Sequence, residues 1–229
     1  MINKLYWRCK RWFFRSRLGW SRLRRLQPLR ADFGYGTGQC IDRFYIERFL
    51  DASRADIQGT VLEIGDRTYT LLFGEMRVEN SQVLHAVEGN DDATIVGDLT
   101  SGAGLTSDSF DCLILTQTLN CVFEVGKAIR TSHRILKSGG VALITLPGVC
   151  QISRYDASRW GDFWRFTPQG AFKLFAEVFG EDNVIVESHG NVLAASALLH
   201  GLVVHELRPE ELSYNDPDYP VVITVRAAK

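Results

Sequence analysis

Short apolar runs alternate with longer amphipathic stretches from about residue 60 onward. Runs rich in Val, Ile and Leu fall at 61–64, 83–87, 94–96, 112–115, 141–146, 184–186 and 221–225, each the length of a strand buried on both faces. Helical patterns occupy roughly 124–137, 168–179 and 191–206, and a further helix is expected at Ile41–Ala52, where Ile41, Phe44, Tyr45, Phe49 and Leu50 fall mostly on one face. Thr167 and Pro168 have the chemistry of an N-cap and a first helical residue. Buried strands alternating with helices predict an α/β fold with a parallel sheet covered on both faces. Ligands of such sheets sit just beyond the carboxyl ends of the strands, so functional residues are sought there.

Charge divides the chain. Its net charge of −1 conceals ten Lys/Arg and no acid in residues 1–30, which leaves 16 basic against 27 acidic side chains beyond them. The basic stretch is interleaved with Tyr6, Trp7, Trp12, Phe13, Phe14 and Trp20. Such a segment suits an anionic membrane surface or a protein partner, or it packs on the acidic body; nucleic acid is disfavoured because that body repels a polyanion. Gly34-Tyr35-Gly36-Thr37-Gly38 has no strand before it to aim a phosphate-binding loop and reads as a linker. The expected organisation is therefore an arm and linker over 1–40 and one domain over 41–229. The five cysteines are scattered without a CxxC pair, and the five histidines are scattered too. This argues against a disulfide framework or a metal site and for a reducing, cytoplasmic setting, with the arm placing the protein at the inner face of a membrane. No stretch approaches the ~18–20 apolar residues of a membrane span.

Three strand ends carry carboxylates: Val61-Leu62-Glu63-Ile64-Gly65, the run to Val87 followed by Glu88, and Ile95-Val96-Gly97-Asp98-Leu99. Then Phe110-Asp111-Cys112-Leu113-Ile114-Leu115-Thr116 leads through a helix to Arg134-Ile135-Leu136-Lys137-Ser138-Gly139-Gly140 and the next strand. Over roughly residues 41–229 this resembles the class I S-adenosylmethionine-dependent methyltransferases, most specifically between Phe110 and Pro147. The resemblance implies a Rossmann-like, mostly parallel seven-stranded sheet with an antiparallel last strand. It implies S-adenosylmethionine as cofactor, with S-adenosylhomocysteine as product.

That cofactor has an ammonium, a sulfonium, a ribose diol and an adenine but no phosphate, so its site calls for carboxylates and close backbone approach. Glu63 and Gly65 suit the methionine end, Glu88 the ribose hydroxyls, Asp98 and Leu99 the adenine, and Thr116 and Gln117 the methyl-donor end. An acid at the place of Glu88 would serve a nicotinamide cofactor equally. By resemblance, Arg43 and Tyr45 on the entry helix reach the methionine carboxylate. Two departures stand out. Asp66-Arg67-Thr68-Tyr69-Thr70 replaces further glycines after Gly65, with Asp66 and Tyr69 as alternative cofactor contacts. Only about nine residues separate Glu88 from Asp98, too few for a crossover helix, so that crossover is shortened.

The acceptor is expected at residues 154–168, dense in aromatics and charges. Its Asp162-Phe163-Trp164-Arg165-Phe166-Thr167-Pro168 run is similar to methyltransferases of sugar and cell-surface polysaccharide pathways. Aromatic faces bind sugar faces while charged groups reach hydroxyls, so Trp160, Trp164, Arg165 and His189 are candidate acceptor contacts, although Trp164 and Phe166 would equally pack the helix. An alcohol acceptor needs a general base: Asp162 first, then Asp156, with Tyr155 orienting. The reading is an O-methyltransferase acting on a sugar or glycan hydroxyl. The alternatives are a non-catalytic methyltransferase-like module partnering a glycan-pathway enzyme, and a methyltransferase of small natural products.

Overall fold

The computed structural model describes residues 25–229. Most of the basic arm lies outside them, and with it the membrane or partner docking expected of residues 1–30. Seven strands, β1 (Gly59–Ile64), β2 (Val78–His85), β3 (Ile95–Val96), β4 (Phe110–Thr116), β5 (Leu136–Pro147), β6 (Val184–His189) and β7 (Val222–Ala228), form one sheet in the order β3-β2-β1-β4-β5-β7-β6. Strands β1 to β5 pair in parallel, and β7 runs antiparallel between β5 and β6. The Rossmann-like sheet with its antiparallel last strand is therefore present. Among the described residues the α-helices are α1 (Ile41–Ala52), α2 (Val125–Ile135), α3 (Arg154–Ala157), α4 (Pro168–Phe179), α5 (Val192–Leu199) and α6 (Pro209–Ser213).

Strand periodicity sends neighbouring residues to opposite faces, and both faces are apolar. Val61, Cys112, Ile114, Val141 and Leu143 pack under α1 and α5, while Leu62, Leu113, Leu115, Ala142 and Ile144 pack under α2 and α4. Helix α4 starts where its sequence signals place it. The Thr167 hydroxyl accepts from the Gly170 N–H at 3.1 Å, and Pro168 opens the first turn.

Several boundaries differ from the sequence reading, each for a tertiary reason. Strand β2 begins at Val78 and ends at His85 because its polar half, Glu79 to Gln82, is recruited by the parallel ladder with β1, which overrides weak strand propensity. Glu88 consequently lies three residues past the strand, in an exposed bend. The helix expected over 191–206 stops at Leu199. Gly201 turns the chain with φ +69°, and a Cβ there would run into the backbone of Arg30, leaving no room for a side chain. The helix expected to reach 137 ends at Ile135. Leu136–Gly140 then enters β5 through a register shift, with the Gly139 N–H donating to the Lys229 carbonyl at 2.7 Å. The stretch between β2 and β3 holds no helix, as its length required, and β1 connects to β2 through helical turns only, Thr70–Gly74 and Glu75–Arg77.

The supposed linker is docked on the domain. The Arg30 N–H donates to the His200 carbonyl at 3.0 Å. Its guanidinium grips Glu206 at 2.7 and 3.1 Å and the Gly201 carbonyl at 2.9 Å. Cys40 bridges Val203, and the Val204 N–H donates to the Gln39 carbonyl at 2.8 Å. Residues 30–40 thereby become one wall of the site.

Candidate active site

The carboxyl ends of β1 to β5 open on one edge of the sheet, roofed by the chain that leaves β5. Strand β4 ends in strain: Gln117 takes φ +49°, in the left-handed region, pinned by its N–H to the Thr145 carbonyl at 3.0 Å. Non-glycine residues held there concentrate at functional sites. Thr116 pairs with Thr145 in register beside it. Gln117 lines a cleft of about 750 Å³, bounded by the docked 31–35 segment, the start of α1 with Asp42 and Arg43, Asn120, and the 150–165 roof.

The roof is organised by one ion pair. The Arg165 guanidinium donates two hydrogen bonds to Asp162, at 2.6 and 2.7 Å, and reaches the Gln151 carbonyl at 2.7 Å. Asp162 also accepts from the Ser153 N–H at 2.9 Å and the Asn120 amide at 3.2 Å. Burial works against its charge, but Arg165, Ser153 and Asn120 outweigh it and hold the carboxyl below the ordinary carboxylate range. A carboxylate so stabilised is a weak base. Asp162, the first candidate for general base, is thus corrected to the brace of the roof. Arg165 is its partner and not a free acceptor contact.

Ser153, fixed by that brace, caps α3 by accepting the Asp156 N–H at 3.2 Å. This short helix presents Tyr155 and Asp156 to the cleft. Among the described residues the Asp156 carboxylate forms no ion pair or hydrogen bond, and it is half-buried. Tyr155 is exposed, with the Arg159 guanidinium 3.7 Å from its ring centre. Trp160 crosses the sheet edge to meet His85, at the end of β2, edge-on at 5.2 Å. Trp164 turns the other way. It stacks on Phe123 at 5.8 Å, and its indole N–H donates to the Val122 carbonyl at 3.1 Å. Its role as an acceptor contact is corrected to outward packing.

On the cofactor side, Gly65 has φ +87°, and a side chain there would meet nothing within 4 Å. Its carbonyl accepts from the Asn90 amide at 2.6 Å. Glu88 is exposed beyond β2, and Asp98 beyond β3. Asp98 accepts the Thr100 and Ser101 N–H groups at 2.7 and 3.2 Å, which lowers its pKa and fixes its turn. Asp66 accepts the Thr68 N–H at 2.8 Å. Leu99 is buried in the sheet's core.

Three further readings are corrected. Glu63 is buried, and its carboxylate accepts the Tyr69 and Thr70 N–H groups and the Thr70 hydroxyl at 3.1, 2.8 and 2.7 Å. It knits the turn after β1 instead of facing a methionine, and burial raises its pKa despite those bonds. The Tyr45 hydroxyl donates to the Leu212 carbonyl at 3.0 Å, and burial pushes its pKa up to about 12. His189 pairs with the Thr224 hydroxyl at 3.0 Å and stacks on Tyr45 at 6.3 Å. Tyr45 and His189 are a packed pair behind the cleft. Tyr69 is buried and accepts from the Arg43 guanidinium at 3.2 Å, steering Arg43 along the cleft wall.

Sequence reasoning missed Asn120, Gln151 and Asp42. Asn120 follows β4 by the rule that pointed to Gln117 and stood only three residues farther on. Nothing local marked the other two.

A protein family described as a methyltransferase domain matches residues 31–144, the segment from the docked wall through most of β5. Several solved structures share the fold. An S-adenosylmethionine-dependent methyltransferase from Archaeoglobus fulgidus is 13% identical over 82% of this chain and 94% of its own, with a TM-score of 0.54. One from Mesorhizobium loti is 17% identical over 82% and 98%, with a TM-score of 0.51. The N-methyltransferase NodS from Bradyrhizobium japonicum WM9, in complex with S-adenosyl-L-homocysteine, is 12% identical over 88% and 94%, with a TM-score of 0.52. At these identities the likeness is one of fold. No curated protein matches the chain significantly.

Proposed function

The chain belongs to the class I S-adenosylmethionine-dependent methyltransferases, and we propose that its acceptor is a hydroxyl group of a sugar or glycan. S-adenosylmethionine supplies an electrophilic methyl group on sulfur. The chemistry of the strand-end residues fits it. The open backbone at Gly65 leaves room for a ligand, while Glu88 and Asp98 are exposed acceptors suited to a ribose diol and an adenine amino group. In this reading Arg43 faces the methionine carboxylate, and Gln117, at the junction of the two halves, faces the reacting end.

The observation that carries the acceptor half is Asp156. Half-buried and without a partner among the described residues, its carboxylate stands in the cleft on a helix whose cap is fixed by the Arg165–Asp162 brace. It accepts the hydroxyl proton as oxygen attacks the methyl group. A positioned base of this kind contributes roughly 10²–10⁴-fold, alongside the advantage of holding both reactants in line. Exposed Tyr35 and Tyr155 flank the cleft and offer ring faces to a sugar. A glycan on a lipid carrier would bring the acceptor to the membrane surface for which the basic arm is suited.

The test is transfer of radiolabelled methyl from S-adenosylmethionine to a panel of glycosides, oligosaccharides, amines and small phenols. Labelled glycosides, with transfer lost in Asp156→Asn while S-adenosylhomocysteine still binds, are the expected result. Labelling of amines or phenols alone would refute the glycan reading and leave the methyltransferase assignment intact.

A further inference from the structure

The roof of the cleft reaches across the carboxyl edge of the sheet. In that sheet β1 lies between β4 and β2. Asp162 is moored on the β4 side, where it accepts from the amide of Asn120, just past that strand. Two residues before it, Trp160 meets His85, the last residue of β2, edge-on with ring centres 5.2 Å apart. Neighbouring strands lie about 4.8 Å apart, so the chain and the indole together span about 10 Å from β4 to β2. What they span is the carboxyl end of β1.

Both ends of the crossing are held. The Trp160 and Gly161 N–H groups donate to the Asp156 carbonyl at 2.7 and 3.0 Å, and the Ser153 N–H donates to Asp162 at 2.9 Å, which pinches the base of the loop. Gly161, with φ +93°, turns the chain between Trp160 and Asp162. On the other side, His85 Nδ1 lies 2.7 Å from the Val87 carbonyl. A carbonyl only accepts, so Nδ1 carries the proton and the ring is fixed. Between the two moorings stands the turn after β1. There Gly65 has φ +87°, a Cβ would meet nothing within 4 Å, and the Asn90 amide ties the bend after β2 to the Gly65 carbonyl at 2.6 Å. Strand order reverses at β1, the place where sheets of this kind hold their ligands.

We propose that Trp160 and His85 form a latch that closes the roof over the cofactor at the end of β1 and slows its exchange, so that Trp160 serves the cofactor and not the acceptor. The inference rests on the cofactor seat proposed at the strand ends. In that seat the molecule runs from Gln117, after β4, to Asp98, after β3, and its middle lies along the span that Trp160 covers. The strand ends bound it on one side and the crossing on the other. Trp160 is half-buried, and its only aromatic partner among the described residues is His85. One edge-on aromatic contact is a modest attraction, which suits a latch that must part at every turnover to exchange product for fresh cofactor.

The experiment measures S-adenosylhomocysteine affinity by calorimetry and its dissociation rate by surface plasmon resonance. The full chain is compared with Trp160→Ala, Trp160→Phe, His85→Ala and the double alanine variant, with thermal stability read alongside. Trp160→Ala and His85→Ala should each speed dissociation by about three- to tenfold. Trp160→Phe, which keeps an aromatic partner for His85, should release at close to the wild-type rate. The double variant should be no faster than either single one, because both rings serve one contact. His85→Ala tests the latch from the side opposite the roof, so a Trp160→Ala protein that fails to fold does not shelter the inference. Unchanged dissociation in His85→Ala overturns it. Additive effects do so too, since they would mean two separate contacts, and tighter binding in Trp160→Ala would make the indole a plug. The cofactor seat is judged separately by Asp98→Asn: affinity that falls there while dissociation is unchanged in the latch variants defeats the latch alone. A wild-type protein that binds no S-adenosylhomocysteine defeats both.

Discussion

Replacing Arg165 by Met removes the cation that organises the roof of the cleft. Asp162, with a side chain only 1% exposed, would keep just the Ser153 N–H and the Asn120 amide as donors. Stripping one partner from a fully buried ion pair costs about 3–5 kcal/mol. Here Arg165 is itself 27% exposed and two donors remain, so the expected loss is about 2–3 kcal/mol. For a domain of this length that lowers Tm by roughly 5–10 °C, measured by calorimetry or circular dichroism. The pH dependence follows from the direction of the shift. The folded-state pKa of Asp162 is depressed, so the stability it contributes is present above the unfolded value of about 3.9 and is lost as pH falls through the folded one. Without Arg165, burial instead favours the neutral acid. The gap between wild type and variant should therefore be widest near pH 7 and shrink toward pH 4. A loss below about 0.5 kcal/mol, the range of an ordinary surface substitution, would refute the brace, as would a gap that does not change with pH. Asp162→Asn and the double variant complete a cycle in which the two effects should be far from additive.

Three other outcomes are expected. Asp156→Asn should lower methyl transfer by about 10²–10⁴-fold with S-adenosylhomocysteine affinity unchanged by calorimetric titration; a fall in affinity instead would place Asp156 in cofactor binding. Asp98→Asn, which can still accept the Thr100 N–H, should weaken S-adenosylhomocysteine by about tenfold, while the circular dichroism spectrum stays that of the wild type. Residues 30–40 should loosen at low pH. The Glu206 carboxyl is pulled down to about 2, first by Arg30 and then by the Val203 N–H, so its grip holds above the unfolded value of about 4.3 and fades as pH falls toward 2. Pepsin cleavage in this segment should rise over that window, and Glu206→Gln should show the cleavage already at its upper end; equal cleavage of both proteins at every pH would deny the contact its role.

Much of the fold was legible in the sequence because it rests on local pattern. Helices α1 and α4 occur at the residues their periodicity and capping chemistry indicated, and each expected strand overlaps an observed one. The strand-end rule led to Gln117, Tyr155 and Asp156, all of which line the cleft. It does not reveal where a polar side chain is spent on partners inside the domain, near or remote in sequence. Glu63 and Tyr45 are polar groups beside the site, yet each is spent on internal hydrogen bonds, Tyr45 on a carbonyl 167 residues away.

Periodicity and turn chemistry are properties of neighbouring residues, so the sequence by itself determined the parallel sheet, its two-faced cover and the edge of the sheet at which the cleft opens. Which carboxylate is free was decided only by tertiary structure. Asp162 and Asp156 lie six positions apart in the segment after β5 and look alike in sequence, but the carboxylate of one is held by Arg165 while that of the other, among the described residues, has no partner in the cleft. The same holds for residues 30–40, whose composition reads as linker and whose contacts with Gly201 and Glu206 make them a wall. The physical reason is common to both. Propensity acts over a few residues, whereas the availability of a polar group depends on every atom that packing brings within about 3 Å of it.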